Sequence, residues 1–380
     1  MTVNREFQSL PFTEAIGFFR DKLSVPSERW NDLWRGQHAK GFMVAGAMKA
    51  DLLSDLRGAV DGGIADGVTL AEFRKSFDDI VARHGWSYKG GRDWRTSVIL
   101  NTNVRTAYAA GRYKQMTEPS VKKSRPYWEY RHGGSAHPRL EHLAWDGLVL
   151  PADDPWWAVH YPPNGWGCKC RVFAIGQRDL DRMGKDGPDQ APADLFYEWK
   201  DRKTGEVFTV PKGIDPGWDY NVGESAGRSY KVLAEKFETM DPDIAKPWMK
   251  EFLDGPVFQR FFTSTEIDEF PVAVLTQADR AVLGGEAQTV WLSRNTLDKH
   301  LARHPEMEIR DYRKIPEILE TGEVYKRGDA RLVYLKDGDK LYRATLKRTE
   351  DGRENYFLTL FATTETSAEN QVRRKLERVR

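Results

Sequence analysis

Two groups of side chains in this 380-residue sequence have the types and spacing for chemistry. The first is Cys168-Lys169-Cys170, with His137, His142 and His160 upstream. Thiolates and imidazoles are the soft and borderline ligands that hold a tetrahedral zinc ion. Cys168, Cys170, His142 and His137 are therefore an expected structural zinc set, with His160 as an alternative donor. A segment with many turns and short strands has little core of its own, and a metal would staple it. A second reading stands beside this one. Cys-x-Cys is tighter than the usual Cys-x2-Cys knuckle, and buried cysteines often act as small apolar groups while histidines serve hydrogen bonds. No His-Glu arrangement of the catalytic-zinc type is present. With its two cysteines one residue apart, the chain has no disulfide framework.

The second group is His300 and His304, four residues apart and so on one face of a helix, with Arg343, Thr345 and Lys347 alternating onto one face of a strand. Imidazoles and cations without a carboxylate cage suit metal-independent RNA cleavage. A base takes the 2′-hydroxyl proton, an acid protonates the leaving 5′-oxygen, and cations stabilise the phosphorane. The expected roles are His300 or His304 as general acid/base, Arg343 and Lys347 on phosphate, and Thr359 or Thr363 orienting it. No cofactor is expected for this chemistry. The bland alternatives are a structural histidine pair and solvated strand cations.

These groups need elements to hold them. Residues 1–125 read as helical. Their apolar stripes lie near Glu14–Lys22, Trp30–Trp34, Phe42–Leu56, Phe73–Val81 and Trp94–Met116, and Thr69 with Glu72 forms a capping box. Residues 126–225 form a small turn-rich core with strands at 127–130 and 171–175, Pro162-Pro163 and Asn164-Gly165 turns, and a hairpin over 195–210. Residues 226–285 read as a helical connector with one short strand at 272–275, ending at Gly284-Gly285. Residues 286–380 read as two helices on an antiparallel meander. Its strands, 332–336, 340–347 and 356–362, are joined through Asp337-Gly338 and Asp351-Gly352. A two-residue Asp337-Gly338 turn sets Tyr334 opposite Leu341. A terminal helix ends in basic residues, among them Arg373 and Arg374, which are read as a phosphate contact or as a solvated face. The fold class is α+β.

Two resemblances attach to these residues. The helix with Arg105-Thr106 and Arg112, the His142…Asp146-Gly147 element, Tyr161 to Arg171 and Pro216 to Asn221 together resemble the phage Mu F-like family of minor head proteins, over roughly residues 30–225. That resemblance implies a portal-associated protein of the capsid interior, active in head morphogenesis, with portal or capsid proteins as partners. The segment from Val290 to the end resembles phage nuclease domains grouped with barnase, EndoU, colicin and RelE-type toxins. The matching pieces are Val290-Trp291-Leu292-Ser293, His300, His304-Pro305, Gly322-Glu323-Val324 and the strands from Tyr342 to Thr359. This second resemblance implies an endoribonuclease acting on RNA, with tRNA as the expected substrate, and an immunity protein as a further partner.

Composition fits both expectations. With 40% hydrophobic and 30% charged residues and 12% aromatics, the chain can bury a core. Its net charge of +1 excludes a global nucleic-acid field. Locally, Arg83 to Arg131 holds 11 basic residues against three acids, fit for DNA phosphates, for an acidic partner or for a solvated face. No apolar run approaches the ~20 residues of a membrane span, and Met1 to Glu6 has no secretory pattern. The expected locations are the bacterial cytoplasm during assembly, the virion interior, and then the host cytoplasm. The competing function is a purely structural virion protein whose C-terminal domain is an inactive binding module. A further effector chemistry, ADP-ribosyl transfer, predicts a nicotinamide-binding Arg/Ser/Glu set, and no Glu-x-Glu pair is expected in 286–380.

Overall fold

The computed structural model describes residues 11–349, 354–373 and 375–380, with only the backbone of Gln371 and Arg373. The chain divides into two compact units, Met1–Arg228 and Ser229–Arg380. The α+β class holds, with helices and sheets in both units.

In the first unit, helices α1 (Thr13–Arg20), α2 (Ala50–Ala65) and α3 (Leu70–His84) pack on the long α4 (Arg92–Thr117). The Thr69–Glu72 capping box forms as the sequence predicts, with the Glu72 amide donating to Thr69. Such a cap stabilises a helix by about 1 kcal/mol. The axes of α1 and α4 meet closely at Gly111, where a Cβ would lie 2.8 Å from the Ala15 backbone nitrogen.

Two predicted helical stripes fail here. Trp30, Leu33 and Trp34 lie in turns before a short 3-10 helix, Arg35–Ala39, because Arg35 takes a left-handed φ of 48° that no α-helix accommodates. Trp30 and Trp34 instead join Trp199 in an aromatic cluster. The stripe from Phe42 to Leu56 is split. Gly41–Phe42 is a strand (β2) parallel to Leu23–Ser24 (β1), and α2 starts only at Ala50.

The predicted turn-rich core is a three-stranded antiparallel sheet in the order β4-β3-β5, from β3 (Tyr127–Arg131), β4 (Val149–Pro151) and β5 (Arg171–Ile175). Short helices α5 (Pro119–Ser124), α6 (Leu140–Ala144), α7 (Trp157–His160) and α8 (Gln177–Arg182) fill the intervals. The hairpin of β6 (Phe196–Lys200) and β7 (Val207–Pro211) is as predicted, and α9 (Val222–Ala226) closes the unit. Trp128, Tyr130 and Tyr161 are fully buried at its centre.

The second unit begins upstream of the predicted boundary. Residues expected as a connector supply α10 (Ala234–Thr239), α11 (Pro242–Asp254), α12 (Pro256–Thr263), β8 (Glu269–Val274) and α13 (Gln277–Leu283) to its core. Their amphipathic faces need this sheet for burial: Trp248, Phe252, Phe258 and Phe261 are all buried. Then follow β9 (Thr289–Ser293), α14 (Arg294–Arg303), α15 (Ile309–Tyr312), α16 (Ile315–Thr321), β10 (Glu323–Arg327), β11 (Ala330–Asp337), β12 (Lys340–Arg348), β13 (Asn355–Thr363) and α17 (Glu365–Ala368).

The sheet has six strands in the order β10-β11-β12-β13-β9-β8, antiparallel except where β13 meets β9. The sequence reading misses β10. It also misplaces the first hairpin turn, because Asp337 pairs with Lys340 and Tyr334 stands opposite Arg343 rather than Leu341. The shift is two residues, so every side chain keeps its predicted face. The predicted single helix over 310–322 is two, α15 and α16. Of the tail, Glu365–Ala368 and Glu369–Arg373 are helical while the described residues 375–380 are not, and Arg378 bridges back to Tyr325 on β10. The second predicted hairpin turn, Asp351-Gly352, lies outside the described residues.

Candidate functional site

His142, Cys168 and Cys170 converge in the first unit, with one donor atom from each within 4.8 Å of the others. The convergence is built locally. Helix α6 follows the β3 loop and presents His142 beneath the sheet, where it is 2% exposed. The two cysteines lie just before β5, which pairs with β3 and so carries them to the same place. His142 Nε2 lies 2.7 Å from the Gly213 carbonyl, to which it donates. That bond fixes the tautomer and leaves the Nδ1 lone pair facing the sulfurs, at 3.5 Å from Cys170 Sγ and 3.9 Å from Cys168 Sγ.

The electrostatics follow from these contacts. The hydrogen bond between the two cysteines, and then burial, push the Cys168 thiol up. The same bond holds the Cys170 thiol down toward thiolate, with His142 and Tyr130 adding to it and burial opposing. Tyr130 also donates to Asn164 Oδ1 at 3.0 Å.

Zinc fits this donor set. With Zn–S near ~2.3 Å and Zn–N near ~2.0 Å, tetrahedral geometry needs S···N separations of about 3.5 Å. A backbone carbonyl on the far ring nitrogen is the usual outer support of a zinc-bound histidine. His137 is not part of the cluster: it is exposed on the loop before α6. Neither is His160, which stacks on Trp156 at 4.1 Å and faces Asp194 at 3.0 Å. Burial lowers the His160 pKa against the pull of that carboxylate. The expected four-residue set is thus three residues in the structure. Gly213, whose carbonyl orients His142, is missed by sequence reasoning because it lies some seventy residues downstream with no side chain to mark it.

In the second unit the predicted imidazole pair does share one side, with ring centroids 4.9 Å apart. The two histidines differ in every other respect. His300 is buried, with Nδ1 2.5 Å from the Tyr312 hydroxyl and Nε2 accepting the Leu360 amide at 3.0 Å. Burial and then the neighbouring His304 lower its pKa to about 4. A neutral ring with both nitrogens engaged holds structure, so the expected acid/base role does not fit His300.

His304 sits just past the end of α14, stacked on Phe361 at 4.8 Å and 3.2 Å from Glu306. The Arg343 guanidinium lies over the same Phe361 ring, 5.2 Å from its centroid, and Arg343 Nε is buried without a hydrogen-bond partner. Next along the strands, Thr359 donates to Thr345 at 2.8 Å. Lys347 is exposed further along the same face of β12. At ~3.4 Å per residue, Lys347 is about 14 Å from Arg343, too far to share one phosphate. Phe361, which joins the histidine to the arginine, carries no sequence signal of that role. Of the basic tail, Arg374 lies outside the described residues, and only the backbone of Arg373 is described. Glu306-Met307-Glu308 does have the Glu-x-Glu spacing. Its members are engaged locally, Glu306 with His304 and Glu308 with Arg310.

Comparison with known proteins places a family match within the first unit. Residues 54–173, which contain the whole triad, match the family model described as Phage Mu protein F like protein. The chain is 32% identical over 263 positions to the putative capsid assembly protein F of Escherichia phage Mu, covering 62% of this chain and 60% of that protein. It is 35% identical over 230 positions to the Mu-like prophage FluMu F protein of Haemophilus influenzae, covering 54% of this chain and 55% of that protein. The chain thus spans little more than half the length of these relatives. No solved structure matches it significantly.

Proposed function

We propose that this chain is a head-assembly protein of a tailed phage or prophage, acting with portal or capsid proteins and resident in the capsid interior. One observation carries the reading. The segment matching the Mu protein F-like family contains the buried His142–Cys168–Cys170 cluster, so the most chemically specific feature of the fold lies in the part shared with a capsid assembly protein. In this reading the cluster holds a structural zinc ion through three protein ligands and staples the short-stranded sheet. Complementation tests the function. A lysogen lacking the gene is expected to release few DNA-filled heads on induction, and the wild-type gene to restore them. Full head yield without the gene contradicts the reading.

For the second unit we propose a ribonucleolytic effector acting on host RNA, tRNA being the expected substrate, with a protective immunity protein. The supporting observation is the meeting of His304 and Arg343 on Phe361. Here His304 is the acid/base, Arg343 holds the scissile phosphate, and Lys347 reaches the neighbouring one. His300 positions β13 and α14. The full chain should cleave total tRNA, and His304→Ala should slow cleavage by about 100-fold or more. No cleavage by the wild type, or equal cleavage by the variant, leaves this unit as a binding module.

A further inference from the structure

A second feature of the first unit stands beside the cysteines and is not needed by the head-assembly reading. On α4, Arg105, Tyr108 and Arg112 fall at i, i+3 and i+7 and share one helix face. On β5, Arg171 and Phe173 alternate with buried Val172 and share one strand face. Arg131 stands opposite Arg171 across the β3–β5 ladder. Helix and strand pack together, and these side chains line one cleft of about 550 Å³ with His132 and Lys169.

Among the described residues, no aspartate or glutamate lines that cleft. Arg131 is answered from outside it by Glu129 at 3.0 Å and Asp146 at 3.6 Å. Among the described residues, Arg105, Arg112, Lys169 and Arg171 form no pair with a carboxylate. Arg105 donates to the Cys168 carbonyl at 3.3 Å, and Arg112 to the Gln115 side chain at 2.9 Å. Arg171 lies over the Tyr108 ring, 5.2 Å from its centroid. Arg112 also borders a neighbouring cleft that holds Glu14 and Glu118, but in this one the cations share a lining without a described carboxylate, and a bound polyanion would relieve their mutual repulsion. Of the tyrosine and phenylalanine rings lining the cleft, Tyr161 is buried, while Tyr108 at 36% and Phe173 at 38% exposed are open to solvent. Exposed rings among cations are the elements of a single-strand binding groove, where phosphates meet the charges and bases stack on the rings. Duplex DNA keeps its bases stacked inside and offers the rings nothing.

We propose that this cleft binds single-stranded nucleic acid, with Arg105, Arg112, Lys169 and Arg171 on backbone phosphates and Tyr108 and Phe173 against bases. The test is fluorescence anisotropy of the full chain with labelled dT12 over a salt series. Wild type should bind dT12 at 50 mM salt, and more tightly than a 12-base-pair duplex. An oligo-glutamate of equal charge should not displace it. The double variant Lys169→Gln/Arg171→Gln should weaken binding about 10-fold and reduce the slope of log affinity against log salt by about 1.4, at ~0.7 per phosphate contact. Phe173→Ala should cost at least about 5-fold, the lower end for one stacked base. Unchanged melting temperatures show that the variants fold. Should the double variant unfold, Lys169→Gln alone, on an exposed side chain, is expected to shift the slope by about 0.7. Absence of dT12 binding, equal binding of duplex, displacement by oligo-glutamate, or variants matching wild type would each overturn the proposal.

Discussion

The Leu360 amide ends on His300 because β13 pairs with β9 over only two residues, Asn355 and Tyr356, leaving the rest of that strand edge without a ladder partner. An imidazole accepting from a backbone amide must stay unprotonated, and its other nitrogen already faces Tyr312. The folded-state pKa of His300, about 4, is below its ordinary value of 6.5. Protons therefore favour the unfolded chain, so the stabilisation is full above pH ~6.5 and is lost as pH falls from there toward 4. Its size is at most about 3 kcal/mol. Hydrogen exchange should show Leu360 losing protection, beyond the intrinsic pH effect, as pH drops from 7 to 4. His300→Gln should remove that pH dependence. Constant protection across this window would mean that the ring does not titrate against folding.

At the scale of elements, α6 and the turn after β7 act as one clamp on His142. Gly213 has φ +87°, and a Cβ there would lie 2.7 Å from both Glu141 and Trp145. Gly213→Ala is expected to cost about 2 kcal/mol through backbone strain and that clash. It should also turn the carbonyl away from His142 and lower zinc content. Elemental analysis of the purified chain should return about one zinc per molecule for wild type and less for Gly213→Ala and Cys168→Ser. A wild-type chain with no zinc contradicts the metal centre.

Much of this clamp was legible in the sequence. Cys168, Cys170 and His142 are named by residue type and spacing alone, and β3 and β5 by their apolar alternation. What could not be read is the support that comes from far along the chain or from backbone atoms, such as the Gly213 carbonyl. The same holds for helix continuity. The Trp30–Trp34 spacing fits a helix, but a tertiary aromatic cluster and the left-handed Arg35 decide otherwise. Helices such as α10 and α11 were visible as patterns. Their assignment to a connector failed because amphipathicity shows that a face is buried but not against which sheet.

For the whole molecule, two compact units with separate chemistry suggest one division of labour. The first carries the Mu F-like segment, its cysteine–histidine cluster and a basic aromatic cleft. The second carries the six-stranded sheet with His304 and Arg343. The head-assembly reading rests on the first unit and survives the loss of every claim about the second. It also requires that the protein travel with assembling heads. Mass spectrometry of gradient-purified heads and virions measures this directly. Peptides from residues 54–173 should be present in assembling heads, at a fixed ratio to the portal protein. Their absence from every head fraction, with the chain intact in the soluble lysate, would contradict the account.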